Sequence, residues 1–152
     1  MATGLENLWI YRLAEELEIE IHEVTKTFPR DEIYRSVDQL RRSSSSATEN
    51  IAEHYHRTSL KEKTRFLNIA KGEAEETKRG ILKAAKKQFL PMAKAENIAG
   101  RYTVLLKGTS SYIRFLELNE SDKQRGQRPR TRTGTSNHNQ KPNNYNQPTK
   151  NQ

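Results

Sequence analysis

"SSSSATENIAEHYHR", residues 43–57, decides how the chain is read. Four serines in a row usually mark a loop, yet this run continues the apolar spacing that begins at Val37 and Leu40. Serine costs a helix only a few tenths of a kcal/mol to about 0.5, so Ser43 to Ala47 can be helical. A run of small side chains lets two helix backbones approach closely. Asn50 and Glu53 are three residues apart and share a helical face. If that face is covered, both need hydrogen-bonding partners, and Arg41, Arg42 and Arg57 are the ones at hand. The expectation is a polar network that fixes helix or subunit register.

Working outward, apolar residues recur every three or four positions in four segments. The first carries Leu5, Trp9, Leu13, Leu17, Ile21, Val24 and Phe28, with Glu15, Glu16, Glu18 and Glu20 mostly on its other faces. Phe28-Pro29 stops it, because the residue before proline is pushed out of the α region. The second places Val37, Leu40, Ser44, Ala47, Ile51 and Tyr55 on one stripe. Ser59 and Glu62 then form a capping box that opens a third helix burying Phe66, Ala70, Ala74, Thr77, Ile81, Ala84 and Ala85 until Pro91. The fourth covers roughly 93–118, with Ile98, Tyr102, Leu105, Leu106, Ile113 and Leu116 inward. Nothing alternates with a strand's period of two. Long helices joined by short loops predict an all-α protein, an antiparallel up-down four-helix bundle spanning residues 4–118.

From Asn119 onward the chain has no Leu, Ile, Val, Phe, Met or Ala. Such a segment cannot bury enough surface to offset its ordering entropy, so 119–152 reads as a disordered basic tail. It holds seven cations against Glu120 and Asp122, a net of +5, which leaves +3 of the chain's +8 for the bundle. A charged flexible arm suits polyanions. Arg125, Arg128, Arg130 and Arg132 are concentrated there, and arginine suits both phosphates and unpaired bases. On helix three, Arg79, Lys83 and Lys86 lie opposite Ile81, flanked by Lys78 and Lys87. A strip of that kind meets successive phosphates regardless of sequence. Lys61, Lys63 and Arg65 form a weaker second group.

Other classes find little support. There is no cysteine, hence no disulfide or thiolate metal site. No apolar run approaches the ~20 residues of a membrane span, and the start "MATGLENLW" has neither a signal-peptide core nor a myristoylation glycine. The expected location is cytoplasmic. Glu53, His54 and His56 are the nearest thing to an acid–base set, but no Arg precedes any of the bundle's histidines at the four-to-six-residue spacing of helical ribonucleases (Arg132 and His138, six apart, fall in the tail), and residues two apart on a helix point to different sides. No catalytic residue, metal ligand or cofactor is assigned. A protein-only scaffold, docking a basic partner on the acidic face of helix one, is the competing reading. Trp9, Ile10 and Tyr11 cannot all face one core, so part of that cluster is expected to be covered by another copy.

Several stretches, in order and spacing, resemble a known family: "FPRDEIY" (28–34), "QLRR" (39–42), "NIAEHYHR" (50–57) and "FLNIAKGEAEE" (66–76). They are similar to the proteins encoded in intervening sequences of bacterial large-subunit ribosomal RNA genes. The matches are Phe28, Pro29, Glu32, Gln39, Arg42, Ser46, Asn50, Ile51, Ala52, Glu53, Arg57, Ser59, Phe66, Leu67, Ala70, Gly72 and Glu76. His54 and His56 stand where the family has glycine, Thr48 where it has proline, and Glu73 where it has serine. The glycine losses bear on the turn after helix two, because His accepts left-handed angles less readily than Gly. The resemblance implies a four-helix bundle assembling as a ring-like homopentamer without known catalytic activity. It also implies kinship with the accessory variability determinants of diversity-generating retroelements, basic pentamers that bind nucleic acid and a reverse transcriptase.

Overall fold

A computed structural model of the chain describes residues 4–127. Four helices account for most of them: α1 Trp9–Thr25, α2 Asp38–Tyr55, α3 Leu60–Lys86 and α4 Met92–Gly126, with no strand among the described residues. Between α1 and α2 lie a 3₁₀ turn, Arg30–Glu32, and a π-helical turn, Ile33–Val37. α1 packs on α2 and α4, and α3 on the same two helices. Cross-helix contacts fix the directions. Leu40 meets Gly80 while Ser43 bonds Thr77, so α2 and α3 run antiparallel. Trp9 abuts Gly108 while Arg101 pairs with Glu16 and Glu20, so α1 and α4 do too. This is the up-down bundle predicted from apolar spacing.

The serine run lies on the seam between α2 and its neighbours. Ser43 and Ser44 are buried, and the Ser43 hydroxyl meets that of Thr77 at 2.7 Å across the α2–α3 contact. Thr77 also donates to the Glu73 carbonyl at 2.9 Å, and Ser44 to that of Arg41 at 3.1 Å. The hydroxyls of Ser43, Ser44 and Thr77 are therefore each satisfied, mostly by the helix's own carbonyls, so small polar residues can line a core at little cost. One turn away, a Cβ on Gly80 would come within 2.8 Å of the Leu40 side chain. The close approach depends on that glycine.

The expected polar network does not form. Asn50 donates within its own helix to the Ser46 carbonyl at 2.8 Å, and Glu53 pairs with Arg57 one turn on. Arg42 takes Asp38 at 3.4 Å. Arg41 alone reaches another helix, donating to the Thr25 hydroxyl at 2.9 Å and the His22 carbonyl at 3.3 Å. These groups are partly exposed, so water and i±4 neighbours satisfy them without a cross-helix network.

Two stripes match their predicted positions over most of their length and differ by one residue only at their starts. In α1 the buried face is Ile10, Ala14, Leu17, Ile21 and Val24, and Trp9 remains 47% exposed. In α3 Leu67 is buried instead of Phe66, whose ring carries the Arg57 and Arg65 guanidinium groups at 4.9 and 4.3 Å. α3 begins as predicted, with the Ser59 hydroxyl accepting from the Glu62 amide at 3.2 Å. The turn after α2 needs no left-handed residue. His54 belongs to the helix and the His56 C-cap is right-handed.

α3 ends in a Schellman motif: the Phe89 amide donates to the Ala84 carbonyl at 3.0 Å and the Gln88 amide to that of Ala85 at 2.9 Å. Gln88 occupies the left-handed position, φ 66°, the one non-glycine there among the described residues. Gln88→Gly is expected to stabilise the bundle by about 0.5–1 kcal/mol, read as a higher urea midpoint at unchanged slope.

α4 outruns its predicted end at Leu118 by eight residues. Apolar content measures whether a segment can form a core, but extending an existing helix needs no new nucleus. Glu120, Lys123, Gln124 and Arg125 are good helix formers, and Lys123 and Arg125 lie in the last turn, where positive charge favours the helix's negative end. Residues 119–126 thus belong to the helix. The remainder of the tail, 128–152, lies outside the described residues.

Candidate nucleic-acid interface

α3 turns Ala70, Ala74, Thr77, Ile81 and Ala84 inward. The opposite side of its last two turns carries Arg79, Lys83 and Lys86, all exposed, with Lys78 half-buried beside them. Seven residues of helix spread these charges over about 10 Å. None of the four makes an ion pair with another described residue. Glu16 and Glu20 pair with Arg101, Glu23 with Lys26 and Glu62 with Arg65, while Glu76 accepts from Gln39. Lys87, at the C-cap, sets its ammonium 5.6 Å from the Phe89 ring centre and acts on Glu32. The Glu32 carboxyl is held below its ordinary range chiefly by the hydrogen bond from the Ser36 hydroxyl, with smaller help from Lys87 and Arg35.

Beside the strip runs a trough between α2 and α3. Its wider part, about 520 Å³, is bounded by Tyr34, Asp38, Gln39, Arg42, Glu73 and Glu76. A narrower part of about 160 Å³ shares Arg35, Gln39, Ser43 and Glu76 with it and ends at Lys83 and Lys87. Gln39 crosses it, donating to the Glu76 carboxylate at 3.0 Å.

The structure brings the α3 cations together but not the whole predicted set. Arg125 lies near the end of α4, where Leu116 and Lys123 face Leu60 and Lys63. That is the far end of the bundle, on the order of 30 Å from Lys83 along α3. Lys63 and Lys123 make a small cationic group there, whereas Arg65 is taken up by Glu62 and Phe66. Arg128, Arg130 and Arg132 lie outside the described residues.

His54 and Tyr34 had no place in the site residues read from sequence. His54 is wholly buried. Its Nδ1 meets the Ile51 carbonyl, its Nε2 lies 3.2 Å from the Tyr112 hydroxyl, and the His54 and Tyr112 rings meet edge to face at 5.3 Å. The two-residue offset between His54 and His56 was the available signal, since it sends one inward when the other faces out. Tyr34, 92% exposed, gave no such signal: an aromatic next to an aliphatic residue, here Ile33, reads as core.

These features define a class, a four-helix bundle with an unpaired cationic face beside a polar trough. The profile of the family described as 23S rRNA-intervening sequence protein matches residues 6–111, and the chain belongs to that family. Among solved structures it is similar to a protein with unknown function from the S23 ribosomal protein family of Bacteroides thetaiotaomicron, determined at 1.70 Å resolution. The two share 24% identity over 69% of this chain and 95% of the other, with a TM-score of 0.64, which shows a common fold. No curated protein matches the chain. Among the described residues, no helix is long and apolar enough to cross a membrane.

Proposed function

We propose that the protein is a non-enzymatic, oligomeric nucleic-acid-binding bundle that serves the reverse transcriptase of a diversity-generating retroelement in the cytoplasm. The observation that carries nucleic-acid binding is the α3 strip. Arg79, Lys83 and Lys86 project from one rigid helix with no acidic partner among the described residues, so their charge is available to phosphate. The retroelement role rests on the resemblance of the motifs to the accessory determinants and on the chain's +8 charge. Against chemistry stand the burial of His54 and the Glu53–Arg57 ion pair, which separate the one acid–base set the sequence offered.

Assembly is supported by apolar side chains left in water. Trp9, Val104, Phe115 and Leu118 are 47–60% exposed, and the last three follow one side of α4. A second copy covering them removes that surface from solvent, and the family resemblance puts the count at five. Light scattering then gives a mass near five times 17.6 kDa.

An electrophoretic shift with RNA and with duplex DNA at low salt tests the binding. A shift with no cleavage is expected, and no shift, or degradation, overturns the reading. Because α4 runs to Gly126, the arm is tested by truncation after that residue, which leaves the helix whole. Loss of three tail arginines lowers the log–log salt slope on single strands by about 2. The protein-only scaffold stays as a second reading because α1 exposes Ile19, 59% accessible, among its glutamates. It predicts capture of a basic polymerase surface without any RNA shift.

A further inference from the structure

Tyr34 is the most exposed large hydrophobic side chain of the described residues, and it projects from a π-helical turn. Such turns are rare and concentrate at functional sites. The turn is held from below. Glu32, itself buried, accepts from the Ser36 hydroxyl at 2.5 Å and the Ser36 amide at 3.4 Å. A firmly based aromatic ring with nothing over it stands at the mouth of the α2–α3 trough. The trough's far end opens at Lys83, which also belongs to the cationic strip.

We propose that Tyr34 is a stacking platform for an unpaired base of a single strand, whose base enters the trough while its backbone follows the strip. The inference rests on the nucleic-acid reading above and names the form of ligand, a single strand over a duplex. Glu73 and Glu76 line the wider part and repel phosphate, so what enters is the base. Carboxylates only accept hydrogen bonds, and the amino groups of cytosine, adenine and guanine supply donors to them. The phosphates stay outside, on Arg79, Lys83 and Lys86. The wider part, about 520 Å³, falls within the ~300–1,000 Å³ of small-ligand sites. A basic peptide fits less well, because Arg35, Arg42 and Lys83 line the same trough. Stacking tolerates any base, since each has a π-face.

The test is fluorescence anisotropy on the full chain with labelled oligo(C) and a labelled RNA duplex, comparing wild type with Tyr34→Ala, Tyr34→Leu and Tyr34→Phe. The ring is nearly free of packing, so all three keep wild-type helicity and thermal midpoint. Leu offers bulk without a π-face, and stands in for Ala should that variant lose its fold. Tyr34→Ala and Tyr34→Leu weaken oligo(C) binding by about 5- to 100-fold, Tyr34→Phe stays within about twofold, and duplex affinity is unchanged. Three results overturn the platform: oligo(C) affinity untouched by Ala and Leu, an equal loss on duplex, or a loss of oligomeric mass marking the ring as a protein contact. Wild type that binds neither RNA sinks the nucleic-acid reading itself, whereas wild type that binds beside a silent Tyr34→Ala sinks the platform alone.

Discussion

A chain carrying Arg79→Glu, Lys83→Glu and Lys86→Glu is expected to bind single-stranded RNA at least about 100-fold more weakly than wild type near 0.1 M salt. Each phosphate contact on a single strand contributes about 0.7 to the log–log salt slope. Three contacts contribute about 2, which at 0.1 M is two decades of affinity before any repulsion from the new carboxylates. The fold should survive. All three side chains are exposed and none makes an ion pair with another described residue. Lys86→Glu places a negative charge at the end of α3, a cost of about 0.3–1 kcal/mol. Lys94→Glu, an exposed cation at the start of α4, is the control and should cost far less. Filter binding across a salt series decides the matter: a slope that stays at the wild-type value shows that phosphate lies elsewhere.

The bundle was legible because apolar periodicity survives any one substitution, and because Ser59, Pro29 and Pro91 punctuate it. Its depth was harder to read. Where two apolar residues are adjacent, as at Trp9-Ile10 and Phe66-Leu67, spacing alone cannot say which points inward. The structure buries the aliphatic residue both times. Trp9 instead lies on Gly108, where a Cβ would stand 2.1 Å from its ring, and Phe66 is covered by two guanidinium groups. The polar network failed for a related reason. Spacing correctly put Asn50 and Glu53 on one face, but a face half open to solvent makes no demand for partners on another helix. The cations of α3 were legible because lysine and arginine seldom go inside. The trough was not, since it arises from α2 and the π-helical turn lying against α3, a tertiary relation with no local signature.

Acidification between pH 6.5 and 4.5 should destabilise the bundle through one buried ring. Burial holds the His54 pKa below its ordinary 6.5, with smaller contributions of the same sign from Lys63 and His56 and an opposing one from the Ile51 carbonyl. In the neutral tautomer Nδ1 donates to that carbonyl and Nε2 accepts from the Tyr112 hydroxyl, so both ring nitrogens are satisfied without charge. The folded state thus resists a proton that the unfolded chain takes up at 6.5. The stabilisation is complete above that value. It falls as pH drops below it, by at most about 1.4 kcal/mol per unit, until the folded ring is protonated as well. Glu23 and Glu32, whose carboxyls are held below their ordinary 4.5, lose their contributions only at lower pH, which leaves this window to the histidine. His54→Leu keeps the volume apolar and removes the titration, at a cost of about 1 kcal/mol at neutral pH for the Tyr112 hydrogen bond. Urea midpoints measured from pH 7.5 to 4.5 should slope steeply in wild type and stay nearly level in the variant down to pH 5. Parallel curves place the acid sensitivity outside the α2–α4 contact.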